Sequence, residues 1–193
     1  MNQRILLATP PFTQLNTPYP ATAYLKGFLN SKGATAYQAD LGIEVMLELF
    51  SKQGLTQLFE RLEGFTGEVS ENIQRIFHLQ EYYLQTIDAV MSFLQHEHDT
   101  LAYQICERNF LPEAGRFAQL TDLEWAFGTL GIRYKARHLA TLYLEDLADL
   151  IKETIDPHFG FSRYAEKLGV AIVSFDGMYE ALKSPNSLVF EIQ

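Results

Sequence analysis

Across 193 residues there is one cysteine, Cys106. A single thiol excludes an intrachain disulfide framework and fits a reducing, cytoplasmic setting. No run of basic residues occurs, and the formal net charge is -9. That balance disfavours non-specific binding to nucleic acid or to an anionic membrane surface. Long apolar runs are missing too. The stretch after Arg4 is stopped by Pro10-Pro11 after about six residues, whereas a secretory signal needs roughly 7–15 and a spanning helix about 20. Neither a Gly-x-Gly-x-x-Gly nor a Walker pattern is present, so no glycine loop cradles a phosphate. What is there is 47% hydrophobic and 20% charged, an ordinary globular composition with length enough for a sizeable core.

The first forty residues are the most legible. Ile5, Leu6, Leu7 and Ala8 run continuously apolar, as a strand covered on both faces does. Pro10 and Pro11 end it, since proline donates no N–H to a ladder. A polar, proline-punctuated loop leads to a helix that places Ala21, Tyr24, Leu25 and Phe28 on one face, with Lys26 and Asn30 outside. Gly33 supplies its left-handed cap. Residues 34–41 then read as a second strand reached by a helical crossover, which makes a βαβ unit with parallel strands.

After Gly42 the apolar spacing turns helical. Ile43, Met46, Leu47 and Phe50 form one stripe, Leu55, Leu58, Phe59 and Leu62 a second. A long third stripe covers 68–98, through Ile73, Ile76, Phe77, Tyr83, Ile87, Val90 and Leu94. A fourth runs through Leu139, Leu142, Tyr143, Leu147, Leu150, Ile151 and Ile155. Val170 to Phe175 is either a third strand or the buried end of a helix, and Leu188 to Ile192 is a further strand candidate. The fold class is therefore α/β: a partial parallel sheet that starts as βαβ, with a large helical block. The expected divisions are 1–41 for the βαβ unit, 42–155 for the helical subdomain and 156–193 for a return toward the sheet. So few strands make an incomplete parallel sheet, and the chain is expected to be the first part of a longer protein.

Ligands of open α/β sheets bind outside the carboxyl ends of the strands. The loop after the first strand is accordingly the prime site, and its candidate binding residues are Thr13, Gln14, Asn16, Thr17 and Tyr19. Free N–H groups where the helix opens would favour an anion such as a nucleotide phosphate. The alternative is a structural turn that the prolines merely stiffen. Asp40 ends the second strand, where dinucleotide folds set an acid on a ribose hydroxyl. Without the glycine fingerprint, a cap on the following helix is the favoured reading.

Other candidates reduce to ordinary structure. His96 and His98 flank Glu97, yet on a helix positions two apart point about 200° from each other and cannot share an ion; a solvated helix end accounts for them. His138 and His158 stand alone. Trp125, Phe127, Tyr82 and Tyr83 are expected in the core, and Cys106 as a buried apolar thiol. Glu44, Glu48, Glu145, Asp146 and Asp149 are expected on solvated helix faces.

The segments Leu6-Leu7-Ala8-Thr9-Pro10-Pro11-Phe12, Leu15-Asn16-Thr17-Pro18-Tyr19-Pro20-Ala21, Tyr24-Leu25-Lys26-Gly27-Phe28-Leu29 and Gln38-Ala39-Asp40-Leu41 resemble the N-terminal region of radical S-adenosylmethionine proteins that carry a cobalamin-binding-like domain. The segment from Asp156 to Ala165 is similar too. The resemblance implies a Rossmann-like domain preceding a barrel that holds a [4Fe–4S] cluster and cleaves S-adenosylmethionine. Two departures matter. A cluster needs three thiolates from a Cys-x-x-x-Cys-x-x-Cys run, and only Cys106 exists, so the cluster and S-adenosylmethionine belong to a longer parent protein. The best-known cobalamin loops carry Asp-x-His-x-x-Gly, but residues 12–20 hold neither histidine nor aspartate. Cobalamin without histidine ligation stays open.

Two functions follow as expectations. The first is a ligand-binding accessory domain, silent alone, whose partners are a small molecule and the catalytic barrel of the parent. The second is a protein-interaction module without a small-molecule ligand. A stand-alone hydrolase or transferase finds no nucleophile–base pair in the sequence.

Overall fold

The computed structural model describes residues 4–10, 20–120, 131–157, 159–160 and 179. Its contacts divide the chain into one unit of residues 1–48 with 161–193 and another of residues 49–160.

The first unit begins with β1, Arg4–Thr9, α1, Pro20–Ser31, and β2, Thr35–Asp40. β1 and β2 pair in parallel from Arg4 beside Thr35 to Thr9 beside Asp40, so the βαβ expectation holds. The helix stops where the sequence says. Gly33 has φ 82°, its N–H donates to the Asn30 carbonyl and that of Ala34 to the Leu29 carbonyl, both at 3.1 Å. These paired bonds close the last turn as a left-handed residue allows. Open space surrounds the position a Cβ would take at Gly33, so substitution there is a pure backbone effect. Gly33→Ala should cost about 1–2 kcal/mol by chemical denaturation, although no contact is lost. Asn30 Oδ1 also accepts the Ala36 N–H at 2.9 Å, tying the helix end to the start of β2.

One expectation about α1 is overturned. The stripe of Tyr24, Leu25 and Phe28 is exposed, Tyr24 by 80%, while Lys26, expected outside, is half-buried with Ala21, Thr22 and Leu29. Periodicity shows which residues share a stripe, but the cover depends on neighbouring elements, and among the described residues β1 and β2 do not cover this one. Leu6 and Tyr37, adjacent in the register, are likewise exposed. The first unit thus carries apolar surface on its helix and on its sheet.

α2, Leu41–Leu49, follows β2 without a break. The second unit is helical: α3, Lys52–Leu62, α4, Glu71–His78, α5, Gln80–Leu94, α6, Leu101–Cys106, a short 3-10 helix, Gly115–Gln119, and α7, Ile132–Thr154. Ser51 caps α3 by accepting from Gly54 N–H, and Ser70 caps α4 by accepting from Ile73 N–H; each such cap contributes about 1 kcal/mol. The stripe expected over 68–98 is carried by two consecutive helices, α4 and α5. At Leu79 (φ −96°, ψ 7°) the N–H folds back on the carbonyls of Arg75, Ile76 and Phe77, and α5 restarts. The core forms where the stripes meet, with Leu55, Leu58, Ile73, Ile76, Tyr83, Ile87, Leu139 and Tyr143 almost wholly buried. Among the described residues no helix is long and apolar enough to cross a membrane. Val170–Phe175 and Leu188–Ile192 lie outside the described residues.

Candidate functional site

Parallel pairing sets the carboxyl ends of β1 and β2 side by side, with Thr9 next to Asp40. Register partners in parallel strands point to the same face, so a hydroxyl and a carboxylate share one end of the sheet. Thr9 is 3% exposed, and among the described residues its Oγ1 has no hydrogen-bond partner. Most buried polar atoms are satisfied, and an orphan at a strand end asks for an explanation. A hydroxyl can both donate and accept, so it suits a ligand hydroxyl, phosphate oxygen or amide.

Asp40 is half-buried, and its Oδ1 accepts the Ile43 N–H at 3.2 Å. It therefore caps α2, the favoured reading from sequence, and lends its negative charge to the helix's positive end. The cap engages the Oδ1 oxygen of the carboxylate. Thr13, Gln14, Asn16, Thr17 and Tyr19 lie outside the described residues. Thr9 was missed because one hydroxyl closing an apolar strand looks like filler. Its only signal is position, directly before the prolines.

Elsewhere the expectations meet mixed outcomes. His96, Glu97 and His98 are exposed at the end of α5, where Glu97 accepts from Ser92 Oγ and Arg137 lies against both ring nitrogens of His96. Among the described residues no group of three or more His, Cys, Asp or Glu is disposed to hold a metal ion. Cys106 is half-buried, with Sγ 3.4 Å from the Ile132 carbonyl. Tyr83 is fully buried, but Tyr82 is exposed. Trp125, Phe127 and His158 lie outside the described residues.

The expectation for the acidic residues of α7 is corrected. Asp146 is not solvated: it is 0% exposed, and its oxygens accept from Ala114 N–H at 3.3 Å and Arg116 N–H at 3.0 Å. Burial pushes its carboxyl up to about 6 against the pull of those two bonds. Asp149 is half-buried and holds Arg116 Nε and Nη2, each at 2.6 Å. Glu145 is 3.9 Å from the same guanidinium. Helical arithmetic carried the signal, since 139, 143, 146 and 150 form one stripe.

No protein-family model, no curated protein and no solved structure matches the chain.

Proposed function

We propose that the first unit is a ligand-binding accessory domain, cobalamin-binding-like, of a radical S-adenosylmethionine enzyme, and that it is not catalytic alone. The observation that carries this reading is the buried Thr9 hydroxyl, without a hydrogen-bond partner among the described residues, beside Asp40 at the carboxyl ends of two parallel strands. Parallel sheets place ligands there, and the opening residues resemble that family. The Thr9 hydroxyl, which can donate and accept, and the Asp40 carboxylate, which accepts, suit a hydroxyl-rich group such as the ribose of a nucleotide tail. Cobalt would receive no histidine from residues 12–20, which contain none. Bound cobalamin supplies cobalt-centred methyl or redox chemistry, and this chain's part is to hold and orient the molecule. The [4Fe–4S] cluster does not fit here, because one thiol cannot replace three; it and S-adenosylmethionine sit in the catalytic barrel of the parent, in the cytoplasm.

Titration with cobalamin, followed by visible absorbance and thermal melting, tests the reading. At a hundred times the dissociation constant the ligand should add about 2.7 kcal/mol of stability, and Thr9→Val should weaken that gain while S-adenosylmethionine alone adds nothing. Melting unmoved by cobalamin would sink it.

A second reading, a protein-interaction module without a small-molecule ligand, is favoured by the exposed Leu6, Tyr24, Leu25, Phe28 and Tyr37. Leu6 and Tyr37 are register partners on the sheet and Tyr24, Leu25 and Phe28 share the helix stripe, and exposed apolar surface of that kind can serve as a contact surface. It is the better account if cobalamin fails to bind.

A further inference from the structure

The carboxyl end of the β1–β2 pair is built from a stretch of chain whose charges have one sign. Residues 5–25, which run from β1 into α1, hold no charged side chain. Between Gly33 and Ser51 the charged residues are Asp40, Glu44 and Glu48, all acids. The basic residues among 1–48 are Arg4, Lys26 and Lys32. Arg4 opens β1 and Lys32 precedes β2, so both stand at the amino ends of the strands, about 16 Å from Thr9 and Asp40. Lys26 lies about 9 Å along α1 from Pro20. Among the described residues no base forms an ion pair with Asp40.

The positive end of α2 is already answered from within the chain. Asp40 Oδ1 accepts the Ile43 N–H at 3.2 Å, and Glu44 sits in the first turn. A phosphate arriving there would add a third negative charge with no cation to receive it, which is how a site rejects a wrong partner. Donor and acceptor chemistry separates the candidates further. An ionised carboxylate only accepts, whereas the Thr9 hydroxyl, 3% exposed and without a partner among the described residues, both donates and accepts. An ionised phosphate has nothing to donate to Asp40. A sugar hydroxyl can donate to Asp40, and its neighbour can exchange a bond with Thr9.

We propose that this end of the sheet is a phosphate-excluding site for the hydroxyls of an uncharged sugar, the ribose of a nucleoside. Such selectivity presupposes the reading that a small molecule is held at the carboxyl ends of β1 and β2; in cobalamin the group concerned is the ribose of the nucleotide tail. The same charge layout argues against the phosphate expected where α1 opens.

Amide shifts of the intact, isotope-labelled chain read this with adenosine, dideoxyadenosine lacking two ribose hydroxyls, and inorganic phosphate as probes. Adenosine should move Thr9 and Ile43 saturably, dideoxyadenosine should bind about tenfold more weakly, and phosphate should leave both amides in place. Asp40→Asn, whose side chain can still cap α2, should weaken adenosine about tenfold and narrow the gap between the two nucleosides. Cobalamin and cobinamide, the corrinoid without the nucleotide, separate this inference from the reading beneath it. Equal binding of the two overturns the sugar site and leaves the cobalamin reading standing. Failure of both, with adenosine still preferred to dideoxyadenosine, overturns cobalamin and leaves the sugar site. Equal binding of the two nucleosides, a Thr9 shift with phosphate, or no shift with any probe overturns the sugar site.

Discussion

Leu147→Ala should destabilise the helical unit by about 3 kcal/mol, with the midpoint of thermal unfolding falling by roughly 6–12 °C. Leu147 is wholly buried on α7, the helix against which α4, α5, α6 and the 3-10 helix all pack. Truncation removes the transfer energy of its methyl groups and leaves a void that surrounding helices only partly close. For a protein whose whole margin is about 5–15 kcal/mol, that is a large fraction. The same substitution at Leu6, 65% exposed, should move stability by less than about 0.5 kcal/mol. Urea unfolding of both variants checks the pair. Equal losses would mean that the sheet face is covered and the description of the first unit is wrong.

Two tyrosines in the same core should respond with opposite signs. The rings of Tyr83 on α5 and Tyr143 on α7 stack with centroids 5.0 Å apart. Burial holds both phenols above the ordinary tyrosine range, so neither ionises at physiological pH. Tyr143 uses its hydroxyl: it donates to the Tyr83 carbonyl at 3.2 Å and lies 3.1 Å from Thr86 Oγ1. Tyr83, equally buried, has no partner for its own hydroxyl among the described residues. Tyr143→Ala therefore removes a packed ring and two polar contacts, and should cost about 3–5 kcal/mol. Tyr83→Phe removes only an unsatisfied oxygen and should be neutral or stabilising by up to about 1 kcal/mol. Calorimetry separates them; a Tyr83→Phe variant that loses more than about 1 kcal/mol would show that its hydroxyl has a partner.

Much of the first unit was legible because its signals are local. Proline cannot continue a ladder, Gly33 takes a left-handed turn that other residues resist, and Asp40 stands where a helix needs an acceptor. The helical block was legible from 3.6-residue spacing, which requires no knowledge of the partner. What failed was everything set by a neighbour. The spacing of Tyr24, Leu25 and Phe28 points to an inward face, but its cover depends on which elements lie against it. Carboxylates usually face solvent, yet the register of Asp146 on α7 puts it inside, where the Ala114 and Arg116 N–H groups make its burial tolerable. The break at Leu79 leaves no mark in a pattern of apolar residues. Thr9 became informative only once its burial and its neighbour across the register were known.

On the proposed reading, a small molecule is held at the carboxyl ends of β1 and β2. Backbone amide shifts of the isotope-labelled chain, recorded with and without cobalamin, test it most directly. Saturable changes are expected at Ala8, Thr9 and Asp40 to Ile43, weakened by Thr9→Val, with α3 to α7 unmoved. Shifts confined to residues 49–160, or none at saturating ligand, would contradict it.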